Sequence, residues 1–192
     1  GSTSFFPSKN LGCYGDGGAM FTNDDALAEK LRVISNHGMK VRYYHDSIGV
    51  NSRLDTIQAA VLNVKLAPLD EYIANRQRAA DHYDRSFAGH EKLTIPVRDP
   101  KSTHVFHQYT LVLNGVDRAA LQASLQEKGI SSMVYYPVPM HMQKAYMDTR
   151  YKEGDFPVTE TLSHNVISLP MHTELTEEQL DYISAGVLDS LK

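Results

Sequence analysis

Residues 3–24 read TSFFPSKNLGCYGDGGAMFTND, and the role given to Lys9 decides how the rest of the chain is read. A structural lysine prefers the solvated face of a helix. Lys9 instead follows Pro7 by two residues and precedes glycines at 12, 15, 17 and 18, a context that breaks helices and lets backbone pass close to a bulky group. Two readings stay open at this level. Lys9 is a solvated residue at a loose chain end, or it is an amine placed for use.

Composition sets the frame. The chain has 192 residues, 42% of them hydrophobic, enough for one domain or one and a fraction. Its formal charge is −4 with both signs mixed along the sequence, which argues against the basic stripe of a nucleic-acid binder. No apolar run approaches the ~18 residues of a membrane span. The single cysteine, Cys13, excludes an internal disulfide framework and is compatible with a cytoplasmic setting. Gly1-Ser2 reads as a tag scar.

Outward from the opening stretch, Ala19–Thr22 reads as a short strand. A helix follows, capped by Asn23 or Asp24 and running to about Ser35 with Leu27, Leu31 and Ile34 on one face. Residues 36–53 carry no clean period and read as a loop with functional potential. A helix from about Leu54 to Lys65 places Ile57, Ala60, Val61 and Val64 on one stripe, and after Pro68 another runs from Leu69 to Phe87 with Gly89 as its stop. Beyond residue 90 come a strand in HQYTLVLN and a helix from Asp117 to Gly129. A strand in ISSMVYYP and short helices at 140–146 and 158–165 follow. The strand VISL and a last helix opened by the capping-box pattern of Thr176 and Gln179 complete the pass.

The fold class is α/β, with a compact C-terminal α/β domain at 76–192 led by its own helix. Residues 3–75 read as part of a larger domain, because one strand and three helices cannot build a buried sheet alone. The expectation is a large domain whose N-terminal half lies outside this chain.

A neutral lysine amine attacks a carbonyl once desolvation or a nearby cation lowers its pKa. Phe5 and Phe6 offer an apolar wall, and Ser4 and Ser8 offer hydroxyls suited to an anion. This combination suits an aldehyde cofactor that carries a phosphate, pyridoxal 5′-phosphate. SFFPSKNLGCYGDGGAMFTND also closely resembles the lysine-bearing segment of sugar-nucleotide aminotransferases of the DegT/DnrJ/StrS type. The resemblance continues in order through ISNHG, GVNSRLDTIQAAVLNVKLAPLDEYIANR, YYPVPMHMQKAY and ISLPMHTELTEEQLDYI. It covers essentially the whole chain.

The resemblance implies a fold-type I pyridoxal-phosphate enzyme in which Lys9 bonds the cofactor and then moves the proton. It implies that Ser4 binds the cofactor phosphate and that Asn51 reaches the phosphate of a neighbouring subunit's cofactor. Arg53 would meet the substrate across a homodimer, and Tyr135, Tyr136 and His141 would line the sugar-nucleotide pocket. Each residue also has a plain structural role available. Ser4 can cap a turn, and Asn51 and Arg53 can cap and pair with Asp55. Tyr135 and Tyr136 can pack at a strand end, while His141 and His37 can be ordinary structural or surface histidines.

Other sites fit poorly. Nine histidines and one cysteine form no tight ligand spacing, so no metal is expected. Gly12–Gly18 matches neither the dinucleotide fingerprint nor a P-loop, and there is no nucleophile elbow. The expected reaction is transfer of an amino group, from glutamate, to a keto group on a nucleotide-linked sugar; lysine at position 9, where dehydratase relatives hold histidine, favours transamination. The N-terminal half would supply the ring-stacking aromatic and the aspartate at the ring nitrogen, so the 192-residue piece is expected to be inactive alone. The alternative is a non-catalytic regulatory or interaction domain on the same fold.

Overall fold

The structure, a computed structural model, describes residues 1–192 in two units, Gly1–Glu71 and Tyr72–Lys192. The first unit is built from two small hairpins and two helices. Strands β1 (Ser2–Ser4) and β2 (Gly18–Met20) pair antiparallel, with Ser4 opposite Gly18. Helix α1 (Asp25–Ser35) is capped by Asp24, whose carboxylate accepts from the Leu27 amide. Strands β3 (Met39–Val41) and β4 (Tyr44–His45) form the second hairpin, and α2 (Thr56–Leu66) follows.

Two expectations need correction here. The single strand expected at Ala19–Thr22 is β2, one residue earlier, and it has a partner. The loop expected at 36–53 holds the β3–β4 hairpin, which the sequence hides because its strands are only two or three residues long. The expected stripe of Ile57, Ala60, Val61 and Val64 lies along one side of α2; within this chain that side is largely open, Ile57 and Val64 being 74% exposed, whereas Leu62 is buried and Gln58 and Lys65 are half-buried. Two polar side chains of this helix, Gln58 and Lys65, turn to backbone groups.

The second unit is a three-stranded antiparallel sheet under helices. Helix α3 (Leu69–Phe87) leads into it, and Gly89 takes the left-handed conformation just beyond the helix end. The sheet order is β5 (Leu93–Thr94), β6 (Tyr109–Leu113), β7 (Val166–Leu169), with β6 in the middle. Helix α4 (Arg118–Glu127) is capped by Asp117, α5 (Pro157–Asn165) starts on a proline, and α6 (Glu177–Asp189) carries the complete Thr176–Gln179 capping box. Tyr83 and Phe87 of α3, Tyr109 and Leu111 of β6, Leu125 of α4, Ile167 of β7 and Leu180 of α6 form one buried core.

A buried cation ties α3 to the sheet end. Arg76 donates from Nη1 to the carbonyls of Phe106, His107 and Met171, each at 3.1 Å. Burial pushes the pKa of its guanidinium down; the three acceptors satisfy Nη1, while the buried Nε is left without a partner.

Two further expectations change. ISSMVYYP is not a strand: only Met133 bridges to Ser168, and the chain then leaves the sheet toward Pro137 and Pro139, which have no N–H to continue a ladder. The helix expected at 140–146 is two 3₁₀ turns, Met140–Met142 and Lys144–Tyr146.

Candidate active site

Lys9 stands on a tight turn of the long connection between β1 and β2, and it is half-buried. Its amide donates to the Phe6 carbonyl at 2.9 Å. The connection folds back on itself. The Phe5 amide donates to Gly17, and the Phe5 carbonyl accepts from both the amide and the thiol of Cys13, at 2.8 and 3.0 Å. Cys13 Sγ also lies 2.9 Å from the Gly15 carbonyl. Phe5 therefore organises the loop through its backbone, and Phe6, expected as an apolar wall, is 52% exposed.

Gly12 is required by this folding. A Cβ built on it would stand 2.6 Å from the carbonyl oxygens of both Phe6 and Pro7, well inside contact distance. The backbone at Gly12 thus presses directly on the two residues that lead into the Lys9 turn.

Helix α2 grips the same loop from one side. Gln58 Oε1 accepts from the Tyr14 amide at 2.9 Å, and Lys65 Nζ donates to the Gly12 carbonyl at 2.6 Å. Sequence reading missed both residues. The signal that could have found them is a glutamine and a lysine seven residues apart, on one face of an otherwise apolar helix.

Ser4 accepts the Phe6 amide on its hydroxyl oxygen at 3.2 Å, the turn-capping role, and its O–H remains able to donate. The segment carrying Asn51 and Arg53 is pinned to the end of α1. Val50 donates to Ile34, Ser52 to Ser35, and Asn36 bridges to Asn51. This crossing needs Gly38, at φ 74°, because a Cβ there would lie 1.7 Å from the Ser47 carbonyl oxygen. Arg53 Nε donates to Asn51 Oδ1 at 2.9 Å, so the two residues pair with each other and not with Asp55. That bond fixes the amide: Asn51 turns its NH₂ away from Arg53, and Arg53 keeps its two terminal nitrogens as a fork.

Asn51, Ser52, Arg53 and Leu54 line a concavity of about 800 Å³ with Asp16–Asn23 and the inner side of α1, including Arg32. The structure therefore brings Asn51 and Arg53 together in one cavity. Lys9 and Ser4 are not in its lining; Ser4 is linked to it through its strand partner Gly18. Ser4, Asn51 and Arg53 each keep a donor free of the contacts described, and donors of this kind suit a phosphate or carboxylate.

In the second unit, Tyr135 and Tyr136 line a smaller, mainly apolar cavity of about 450 Å³ with Val138, Met140, Leu162 and Val166. His141 does not line it. Its Nε2 lies 2.9 Å from Glu160 Oε1, and its ring packs against Phe156. Burial works against charge on Glu160, but the amides of Gly154 and Phe156 together with His141 prevail and hold its carboxyl below the usual glutamate range. No group of three or more histidine, cysteine, aspartate or glutamate side chains is arranged to hold a metal ion.

The chain is 49% identical over 182 residues to the pleiotropic regulatory protein of Geobacillus stearothermophilus, covering 94% of this chain and 48% of that protein. It is 45% identical over 185 residues to the UDP-2-acetamido-2-deoxy-3-oxo-D-glucuronate aminotransferase of Pseudomonas aeruginosa, covering 96% and 50%. Among solved structures it superposes with a TM-score of 0.89 on NtdA from Bacillus subtilis with bound cofactor PMP, at 29% identity, covering 99% of this chain and 45% of that one. The chain thus spans about half the length of the curated relatives it matches. The model of the DegT/DnrJ/EryC1/StrS aminotransferase family matches residues 1–188, and the chain belongs to that family.

Proposed function

We propose that the protein carrying this chain transfers an amino group, from glutamate, to a keto group on a nucleotide-linked sugar, with pyridoxal 5′-phosphate as cofactor. The observation that carries the reading is the family match over a segment that sets Lys9 on a tight turn after β1. When bound, the cofactor supplies an aldehyde that accepts the amino group and a ring that takes up the electron pair left by proton removal. Lys9 holds the cofactor and, once its amine is free, carries the proton between the two carbons that exchange it. The Ser4 hydroxyl donates to the phosphate, and the Asn51 amide of a second copy offers another donor to it.

Two copies share the site in this reading, with Asn51 and Arg53 serving the partner's cofactor and substrate. Its support is that Lys9 and Ser4 stand outside the cavity that Asn51 and Arg53 line. The Arg53 fork suits a carboxylate on the sugar, as in the glucuronate named for the Pseudomonas aeruginosa relative. Tyr135, Tyr136 and His141 serve the nucleotide-sugar pocket in this reading, the tyrosines as ring faces on the cavity they line and His141 from its place beside Glu160. A cytoplasmic setting is part of this reading, and a lone cysteine that forms no internal disulfide is compatible with it.

The second reading, a regulatory module, draws on the name of the Geobacillus stearothermophilus relative. One experiment separates the two. The full-length protein is incubated with pyridoxal phosphate, glutamate and either an acidic or a neutral 3-keto nucleotide sugar, and amino-sugar product is followed by mass. Catalysis predicts turnover that Lys9→Ala abolishes, and Arg53→Ala lowers the preference for the acidic sugar. No turnover of any keto sugar, with cofactor still bound, would favour the regulator.

A further inference from the structure

We infer that Lys65 and Gln58 of α2 are positioning residues for Lys9, holding the turn that carries it in the one conformation from which its amine meets the cofactor. The inference rests on the reading of Lys9 proposed above, and its contacts lie within one unit.

The contacts form a short relay. Lys65 Nζ binds the Gly12 carbonyl at 2.6 Å. Gly12 in turn packs against the carbonyls of Phe6 and Pro7 so closely that no side chain fits there. The Phe6 carbonyl accepts the Lys9 amide at 2.9 Å. An ammonium on α2 is therefore three contacts from the backbone of the lysine that does the chemistry. Gln58, two helical turns earlier on the same face, fixes the other limb of the loop through the Tyr14 amide at 2.9 Å.

The polarity of these contacts argues for positioning over general stabilisation. An apolar residue at position 65 would pack with Val61 and Leu62 and strengthen a core by burial. A lysine there spends its charge on one neutral carbonyl, and its long stem costs rotamer freedom to hold. What it gains is direction. A charge-assisted hydrogen bond fixes the orientation of the Gly12–Cys13 peptide, and Cys13 then ties back to Phe5 through both its amide and its thiol. The loop is locked at Phe5, Gly12 and Tyr14, and Lys9 lies inside that frame. Misplacement of a reacting group by about 1 Å costs up to about a hundredfold in rate, so a loosened frame is felt first at Lys9.

The test compares wild type, Lys65→Met, Lys65→Arg and Gln58→Leu in the full-length protein. Amide hydrogen exchange, which needs no cofactor, reads the loop. Pyridoxal phosphate labelling followed by borohydride reduction and peptide mapping reads Lys9. Lys65→Met is expected to speed exchange at Lys9, Cys13 and Tyr14 about tenfold and to slow labelling of Lys9 about tenfold, with the thermal midpoint and exchange in β6 unchanged. Gln58→Leu should loosen Tyr14 more than Lys9, and Lys65→Arg should restore most of both signals. Wild-type exchange and labelling in Lys65→Met would overturn the inference. Exchange raised equally across the whole chain would also overturn it, as a purely structural effect. If wild-type Lys9 is itself unlabelled, or Lys65 takes the label, the reading of Lys9 fails and the inference with it; loop exchange then shows separately whether α2 holds the turn.

Discussion

The two units are held together by different means. Tyr72–Lys192 has a continuous apolar core in which Tyr109, Leu111, Leu125, Ile167 and Leu180 are completely buried. In Gly1–Glu71 the buried apolar side chains are Cys13 and Leu62, while Phe21, Ile48, Ile57 and Val64 stand between 61% and 97% exposed. What shapes the first unit is a set of hydrogen bonds from backbone and polar side chains to loop carbonyls and amides. The lesson is a division of labour. The second unit gets its stability from the hydrophobic effect, which is strong and indifferent to direction. In the first, whose sequence reads as part of a larger domain, the contacts made within this chain are mainly directional bonds, and it is the unit that carries Lys9, Ser4, Asn51 and Arg53.

The sharpest way to break this contrast is to cut the core on each side. Leu111→Ala removes a fully buried side chain from the central strand and should cost about 2–5 kcal/mol in urea unfolding. Leu62→Ala, with fewer buried apolar neighbours around it, should cost clearly less. Equal losses would mean that the first unit has a core after all.

A smaller effect is expected at Arg76, the place where the second unit uses the directional strategy of the first. Arg76→Met keeps the bulk of the stem but leaves the carbonyls of Phe106, His107 and Met171 without their donor. It should cost about 1–3 kcal/mol, again by urea unfolding. A neutral result would show that water takes over the three acceptors.

The smallest effect is a pH dependence confined to the loop before α5 that closes on Glu160. Glu160 has a carboxyl held below its usual 4.5, so the stabilisation it brings is present above that value and lost as pH falls through the lower folded value. Amide exchange at Gly154 and Phe156 should therefore rise below pH 4.5 in wild type and be fast at neutral pH in Glu160→Leu, while exchange in β6 stays slow. An acid response spread evenly over the whole unit would remove Glu160 as its cause.

The same contrast explains what the sequence made legible. Elements of the second unit that bury an apolar face announced themselves: α3 spans the very residues its pattern gives, and α4 and α6 begin at the expected caps, Asp117 and Thr176. Lys9 stood out by its setting and by its match to family motifs. The first unit was harder to read because its organising contacts are not periodic. Nothing in a pattern of apolar residues reports that Gly12 abuts two carbonyls, that Lys65 points inward, or that Asn51 and Arg53 choose each other over Asp55. ISSMVYYP shows the converse error: β-branched and aromatic residues read as a strand, but its own Pro137, and Pro139 just beyond it, cannot continue a ladder.

That failed strand has a consequence for how the second unit behaves in company. The outer side of β7 is covered at Ser168 by Met133, which exchanges two hydrogen bonds with it at 3.0 and 2.8 Å. On the opposite side the sheet ends in β5, only two residues long. A sheet with one rim stapled and the other cut short offers little template for a strand from another molecule. By stopping at a single bridge, the segment gives up a fourth strand and removes a place where copies could aggregate edge to edge.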